Sequence, residues 1–250
     1  MNGLRGLRSR ALQVSLASGL AALASCYQVP SGAAPQANAA PQSAPGYRDA
    51  VARARASVVS VYAAGRIAQG SLGASVDALA ISSGVVVDRS GLVVTNGRLF
   101  EGAEQLVVAV EDGSPCAATL LGFDAASGIA LLQIDAPDLK PIELADIGSV
   151  AVGDIVLAIG NPPGVGQTVS QGIVGALGRK RNGIEGYIET DAAIPPGGYG
   201  GALVDTRGRL IGIPTVNLAI GDETPAIRLA IPVDRLQEIV ARLRKRGRDA

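Results

Sequence analysis

The residues best placed to do chemistry lie late in the chain, in the run Thr190-Asp191-Ala192-Ala193-Ile194-Pro195-Pro196-Gly197-Gly198-Tyr199-Gly200-Gly201-Ala202-Leu203. Four glycines among small residues, set between two apolar strands, suit a backbone that turns sharply and exposes its N–H groups as donors. Such donors serve catalysis when a nucleophile and a base stand beside them. The chain is restrictive here. It contains no histidine, the side chain whose unperturbed pKa lies nearest neutrality and the usual base for activating a hydroxyl. Ser-His and Cys-His systems are therefore excluded, as are metal sites built on imidazole, and two cysteines are too few for a thiolate cluster. No metal and no cofactor are implied. Cys116 follows a predicted turn and reads as an inert thiol.

The elements that must hold this loop are short strands. Ser57–Ala63, Val85–Val87, Leu92–Val94, Leu106–Val110, Ala117–Phe123 and Ile129–Ile134 form a first set, with a strong hairpin signal at Asp112-Gly113. Ile155–Ile159, Thr168–Leu177, Tyr187–Thr190, Ala202–Asp205, Arg209–Ile213 and Ile227–Ile231 form a second, with turns at Asn182-Gly183 and Arg207-Gly208. Two sets of about six strands predict an all-β fold of two barrels side by side, over residues 47–145 and 146–232. A short helix is expected over Tyr47–Ala54. Residues 233–250 predict a C-terminal helix: Asp234 and Gln237 can form a capping box, and Leu236, Ile239, Val240 and Leu243 fall on one face. Arg242, Arg244, Lys245 and Arg246 lie in its last turns, where cations suit the helix dipole.

The amino-terminal segment is of another kind. Arg5, Arg8 and Arg10 precede an apolar, small-residue stretch that closes on Leu23-Ala24-Ser25-Cys26, so residues 1–26 read as an export signal. Its ending resembles a bacterial lipobox, which implies lipidation of Cys26 and a lipid-anchored protein of the cell envelope. Residues 27–46 are uncharged and rich in Pro, Ala, Gln, Ser and Gly, a composition that predicts a disordered tether. The 22 basic and 22 acidic residues of the chain balance, so no nucleic-acid partner is implied, and the membrane is contacted through the anchor alone. Loss of the leader leaves 19 basic residues against 22 acidic ones.

Several segments together carry a resemblance. The loop above is similar to the nucleophile loop of the HtrA family of trypsin-like serine proteases. Ser83-Gly84-Val85-Val86-Val87, Leu92-Val93-Val94-Thr95-Asn96, the run from Val152 to Pro162, the run from Gln167 to Val174, and Leu229-Ala230-Ile231-Pro232 match the same family. The resemblance covers about residues 47–244. It implies a chymotrypsin-like double six-stranded β-barrel with the active cleft between the barrels. Family members commonly carry a following PDZ module, and the chain is expected to lack one. A homo- or hetero-trimer is a further implication, as is an active protease relative as partner.

The family's catalytic positions carry over one by one. The histidine of its T-N-x-H motif falls on Arg98, its aspartate on Gly128 and its serine on Tyr199. Arginine stays protonated and cannot act as a base, glycine orients nothing, and a phenol without a base beside it is a poor nucleophile. Gly197 and Tyr199 keep the places of the two oxyanion donors. Ile194, Thr215 and Val216 are expected to line a peptide-binding cleft. Asp124 and Asp191 flank it, and the Arg98 guanidinium is expected to reach solvent, Asp124 or the Tyr199 ring. The three lysines, Lys140, Lys180 and Lys245, fall elsewhere. The resulting expectation is a protein that is not an enzyme and acts by binding a peptide or protein. Two alternatives stand beside it: a hydrolase using a non-standard site, and a purely structural envelope lipoprotein.

Overall fold

The computed structural model describes residues 46–69, 74–99, 103–162, 166–181, 184–215 and 228–248. Cys26 with its leader and tether, the Asn182-Gly183 turn and Val216 lie outside the described residues. Helix α1 (Arg48–Arg55) leads into a first barrel built from β1 (Val58–Gln69), β2 (Ala74–Asp88), β3 (Leu92–Asn96), β4 (Ala103–Ala109), β5 (Pro115–Asp124) and β6 (Ile129–Ile134). The second comprises β7 (Ile155–Gly160), β8 (Thr168–Arg181), β9 (Ile184–Thr190), β10 (Ala202–Val204), β11 (Leu210–Thr215) and β12 (Arg228–Pro232), and helix α2 (Val233–Arg248) closes the fold. Both barrels are closed and antiparallel, in the orders β1-β2-β3-β6-β5-β4 and β10-β11-β12-β9-β8-β7. This is the trypsin-like double barrel.

Alternation of side chains fills each barrel separately. Val59, Val61, Val86, Val93, Leu132 and Ile134 pack inside the first, and Val156, Ala158, Val174, Ile188, Leu203 and Ile211 inside the second. The opposite faces of the same strands supply a third cluster, in which Val85, Val94, Ile129 and Leu131 of the first barrel meet Leu157, Ile159, Leu210 and Ile213 of the second. The barrels are thus joined by a buried apolar seam. The connection between them follows it: Ile142 N–H donates to Val86 O at 2.9 Å, and Ala145 N–H donates to Leu210 O at 2.9 Å.

Strands β1 and β2 run on beyond the expected ends, pairing from Val58↔Val85 to Gln69↔Ala74. Their outer halves, residues 64–69 and 74–78, are mostly small or polar, with Ile67 and Val76 the larger apolar residues, so backbone pairing extends where the strong apolar pattern stops. Helix α2 starts at Val233, directly after β12. Asp234 therefore stands in its first turn instead of capping it, where the carboxylate suits the positive helix end. The buried side chains Val233, Leu236, Ile239 and Leu243 face the seam. The helix packs on β5 and β6 of one barrel and on β11 and β12 of the other. Burying each of these side chains contributes about 1.5–3 kcal/mol. Among the described residues no helix is long and apolar enough to cross a membrane.

Candidate functional site

The glycine-rich run crosses from β9 to β10 as a series of turns. Pro195 O accepts from Gly198 N–H at 2.8 Å. Proline at the second position of that turn and Gly197 at the third, with φ +82°, make it type II. The loop is then pinned to the first barrel by hydroxyls. Ser83 Oγ donates to Gly197 O and Ser82 Oγ donates to Tyr199 O, each at 2.7 Å, and Ser83 N–H donates to Tyr199 O at 3.0 Å. Ser83 Oγ in turn accepts from Asn161 N–H at 2.8 Å, and Thr95 Oγ1 donates to Ser83 O at 2.7 Å. Ser82, Ser83, Thr95 and Asn96 are all buried. At Gly200 the loop backbone lies close against the first barrel: its φ is +81°, and a Cβ there would stand 2.4 Å from Ser83 O and 2.6 Å from Asn96 N. No other residue fits that backbone and that space.

These pins occupy the carbonyls of Gly197 and Tyr199 but not the N–H groups of the same residues. Among the described residues, the N–H groups of Gly197 and Tyr199 donate to no protein acceptor. Tyr199 itself is half-buried, its side chain resting on the cluster that includes Ala192 and Ile194. Ile194 is 8% exposed and Thr215 5% exposed. Neither forms an open wall: Ile194 faces the barrel interior, and Thr215 Oγ1 accepts from Asn96 Nδ2 at 3.2 Å. Val216, the third residue expected there, is outside the described residues.

Arg98 sits in a single 3-10 turn, Gly97–Leu99, at the end of β3, its N–H donating to Asn96 Oδ1 at 3.1 Å. Its side chain lies across Gly128. A Cβ on Gly128 would come within 2.7 Å of Arg98 Nε, and Gly128 adopts φ +76°. Arg98 Nη2 donates to the carbonyls of Ala125 at 3.0 Å and Ala126 at 3.2 Å. Of the expected environments the guanidinium keeps solvent, and it pairs with neither carboxylate because both are already engaged. Asp124 accepts from Arg242 Nη2 of α2 at 2.7 Å and from the hydroxyl and N–H of Ser127. Asp191 Oδ1 accepts from Ile173 N–H at 2.8 Å and ties the loop to β8. Burial alone would raise the Asp124 carboxyl, but the Ser127 hydrogen bonds and the Arg242 guanidinium outweigh it and hold it below its ordinary value. Lys140 and Lys180 are paired with Glu111 and Glu185 on the surface.

Residues 82–213 match the trypsin-like peptidase domain family. The chain belongs to it, on its HtrA-like branch. It is 42% identical over 174 residues to the periplasmic serine endoprotease DegP of Escherichia coli (strain K12), a match covering 68% of this chain and 37% of that protein. It is 36% identical over 223 residues to the serine endoprotease DegS of Salmonella typhimurium (strain 14028s), covering 86% and 62%. Among solved structures, the HtrA-type protease AlgWS227A with decapeptide superposes with a TM-score of 0.73 at 34% identity, over 81% of this chain and 68% of that one. The chain thus spans between 37% and 62% of the length of these two curated relatives.

Membership of this family corrects one expectation. The chain was expected not to be an enzyme, on the strength of Arg98, Gly128 and Tyr199; relatives named serine endoproteases and HtrA-type proteases point instead to protease activity. The side chains that pin the loop, Ser82 and Ser83, are what sequence reasoning missed. The signal was present as Ser82-Ser83-Gly84 opening a strand ahead of Thr95-Asn96, but hydroxyls spaced for backbone carbonyls of a distant loop leave no periodicity to find.

Proposed function

We propose that this HtrA-like chain is an exported, lipid-tethered protein of the cell envelope that binds an extended peptide or protein segment in the cleft beside Tyr199. The observation that carries the reading is the pair of N–H groups on Gly197 and Tyr199 that donate to no protein acceptor among the described residues, on a loop whose Gly197 and Tyr199 carbonyls are held by Ser83 and Ser82. Donors fixed in this way bind a peptide carbonyl without reorganisation. Solved HtrA-type relatives carrying a tripeptide or a decapeptide support peptide as the ligand class. Relatives named periplasmic support the envelope location. Cys26 and residues 27–46 supply the anchor and tether, and a trimer, with copies of itself or with an active relative, is the assembly in which the domain works.

Hydrolysis is the activity to which the relatives point, and in this chain it has to proceed without imidazole. Backbone donors and substrate alignment then carry it, a combination that supplies roughly 10³–10⁴-fold over water in trypsin-like enzymes stripped of a triad member. The test is a fluorescein-labelled β-casein peptide, followed by anisotropy for binding and by electrophoresis for cleavage. Saturable binding that weakens several-fold in Tyr199→Ala, and is unchanged in Lys180→Ala, supports the reading. Absence of binding at millimolar peptide sinks it. The tether is tested separately, by incorporation of labelled palmitate that is lost in Cys26→Ser.

The burial of Ile194 and Thr215 favours a second reading, a structural envelope protein with its cleft packed around Tyr199. Under it neither binding nor cleavage of the peptide is observed, and Tyr199→Ala lowers stability.

A further inference from the structure

We propose that the open groove between α2 and the β2–β3 hairpin faces the membrane, its apolar strip meeting the acyl region of an anionic phospholipid leaflet while Arg89, Arg244 and Lys245 meet the phosphates. This adds a second membrane contact to the anchor. It rests on the tether reading above only for what brings the domain to the leaflet.

The groove has a volume of about 750 Å³. Its α2 wall is one stripe of the helix, in which Leu236, Val240 and Arg244 recur every four residues beside Gln237, Ala241 and Lys245. Val87, Asp88 and Leu92 of the hairpin and Leu144 of the connection between the barrels complete the lining. Leu92 and Leu236 are buried, whereas Leu144 is 37% exposed and Ala241 is exposed. Apolar side chains thus run from the core out to the surface, as they do where a surface takes an apolar partner.

Charge selects the partner. Arg244 and Lys245 are exposed in the last turns of α2, and Arg89 is exposed in the β2–β3 turn next to Asp88. Among the described residues none of the three enters an ion pair, whereas Arg235 and Arg242 of the same helix are paired with Glu238 and Asp124. Asp88 is the one acid of the lining, and its Oδ1 already accepts from Ser90 N–H at 2.7 Å. The Ser90 hydrogen bonds, and after them the Arg244 charge, hold that carboxyl below its ordinary value. An apolar strip rimmed by unpaired cations matches an amphiphile with an anionic head.

The point where the chain enters the domain favours a leaflet over a soluble partner. Helix α1, the first described element, lies on the Arg207-Gly208 turn, where a Cβ on Gly208 would stand 2.4 Å from Ala50 O. Strand β11 starts two residues later and holds the groove segment on both sides of Leu144. Leu210 N–H donates to Glu143 O at 2.7 Å, and Ala145 N–H donates to Leu210 O at 2.9 Å. The entry of the chain and the groove therefore share one support. A tether the length of residues 27–46 reaches about 25 Å, which keeps this side of the domain within reach of the leaflet that holds the anchor.

The chain contains no tryptophan, so Leu144→Trp sets a single fluorescent reporter in the groove, Ala241→Trp a second on its helix wall, and Val152→Trp a control on the exposed surface of the other barrel. Each lipidated full-length variant is placed in phosphatidylcholine vesicles with or without a third of phosphatidylglycerol, and quenching by acyl-brominated phosphatidylcholine is read. Both groove reporters should be quenched in the anionic vesicles alone, and the control in neither. Arg244→Gln with Lys245→Gln should lower the ratio of docked to free domain about 25-fold, at roughly fivefold per cation, and high salt should act in the same direction. Groove reporters left unquenched in anionic vesicles, quenched equally in neutral ones, or still quenched after the double substitution overturn the proposal. A reporter that answers a soluble acidic amphipathic peptide and not the vesicles gives the groove to a protein partner and overturns it as well. Palmitate labelling of the same preparation reports the anchor separately. Label present with unquenched groove reporters sinks the docking alone. Label absent sinks the anchor, and co-sedimentation with anionic vesicles that is lost in the double variant then decides the docking.

Discussion

At the scale of single residues, Arg98 and Gly128 behave as one unit. Gly128 needs its hydrogen for two reasons, a backbone at φ +76° and the Arg98 side chain 2.7 Å from where a Cβ would stand. An alanine in the left-handed region costs about 1–2 kcal/mol, and displacing Arg98 from its carbonyl partners adds about 1 kcal/mol more. Gly128→Ala is therefore expected to cost more in the natural chain than in an Arg98→Ala background. Urea midpoints of the four proteins in that cycle measure a coupling of about 1 kcal/mol; equal costs in both backgrounds would show that Arg98 does not occupy the space. The sequence made the two changed positions visible through the resemblance, one at a time. Their dependence on each other was not visible, because it arises from a rotamer that brings residue 98 over residue 128 and no spacing rule encodes that. Ser82 and Ser83 were hidden for the same reason, whereas the loop's sharp turns were legible from Pro196, Gly197 and Gly200 alone.

At the scale of elements, α2 decides how the barrels stay together. Its apolar face closes over the seam, and Leu243, 1% exposed, lies 3.0 Å from the place of a Cβ on Gly122 in β5. Leu243→Ala should cost about 2–5 kcal/mol, read from a chemical denaturation curve, because β5 cannot collapse into the gap. One residue earlier, Arg242 reaches Asp124 at 2.7 Å, and Asp124 also accepts from Ser127. The Asp124 carboxyl is held below its ordinary value in the folded chain. A depressed carboxyl binds its proton more readily when unfolded, so its contribution to stability is complete above the unfolded pKa of about 3.9. It is lost as pH falls through the lower, folded value. Thermal melts from pH 6 down to pH 2 should fall less steeply in Asp124→Asn below about pH 4 than in the natural chain; parallel curves would remove the Arg242 contact from the list of stabilising ones. The strands in this picture were legible as alternating apolar runs bounded by turns. The outer halves of β1 and β2 were not, since backbone ladder bonds hold Gly65, Arg66, Ser75 and Asp77 in strands that their side chains do not announce.

At the scale of the whole molecule, the two barrels, the buried seam and the hydroxyl-pinned loop form a trypsin-like frame in which three side chains differ from the resemblance's pattern while the backbone around them remains in place. If that frame is preorganised, the missing side chains should be enough to raise hydrolysis. Arg98→His, Gly128→Asp and Tyr199→Ser made together supply a base, a carboxylate to orient it and a nucleophile beside the Gly197 donor. The backbone accepts them. Tyr199 has no positive φ to strain a serine, aspartate is among the residues that tolerate the left-handed region occupied by residue 128, and replacing Arg98 withdraws the Nε that fills that space. Because such groups act as a unit, each single change should alter β-casein cleavage little, while the triple variant should exceed the natural chain by roughly 10³-fold or more. Rates from the release of labelled fragments, with a fluorophosphonate probe labelling the triple variant but not the single Tyr199→Ser variant, check both parts. A triple variant no faster than its parents, yet folded by circular dichroism, would locate the deficit in the cleft packed around Ile194 and Thr215 instead of in the three side chains.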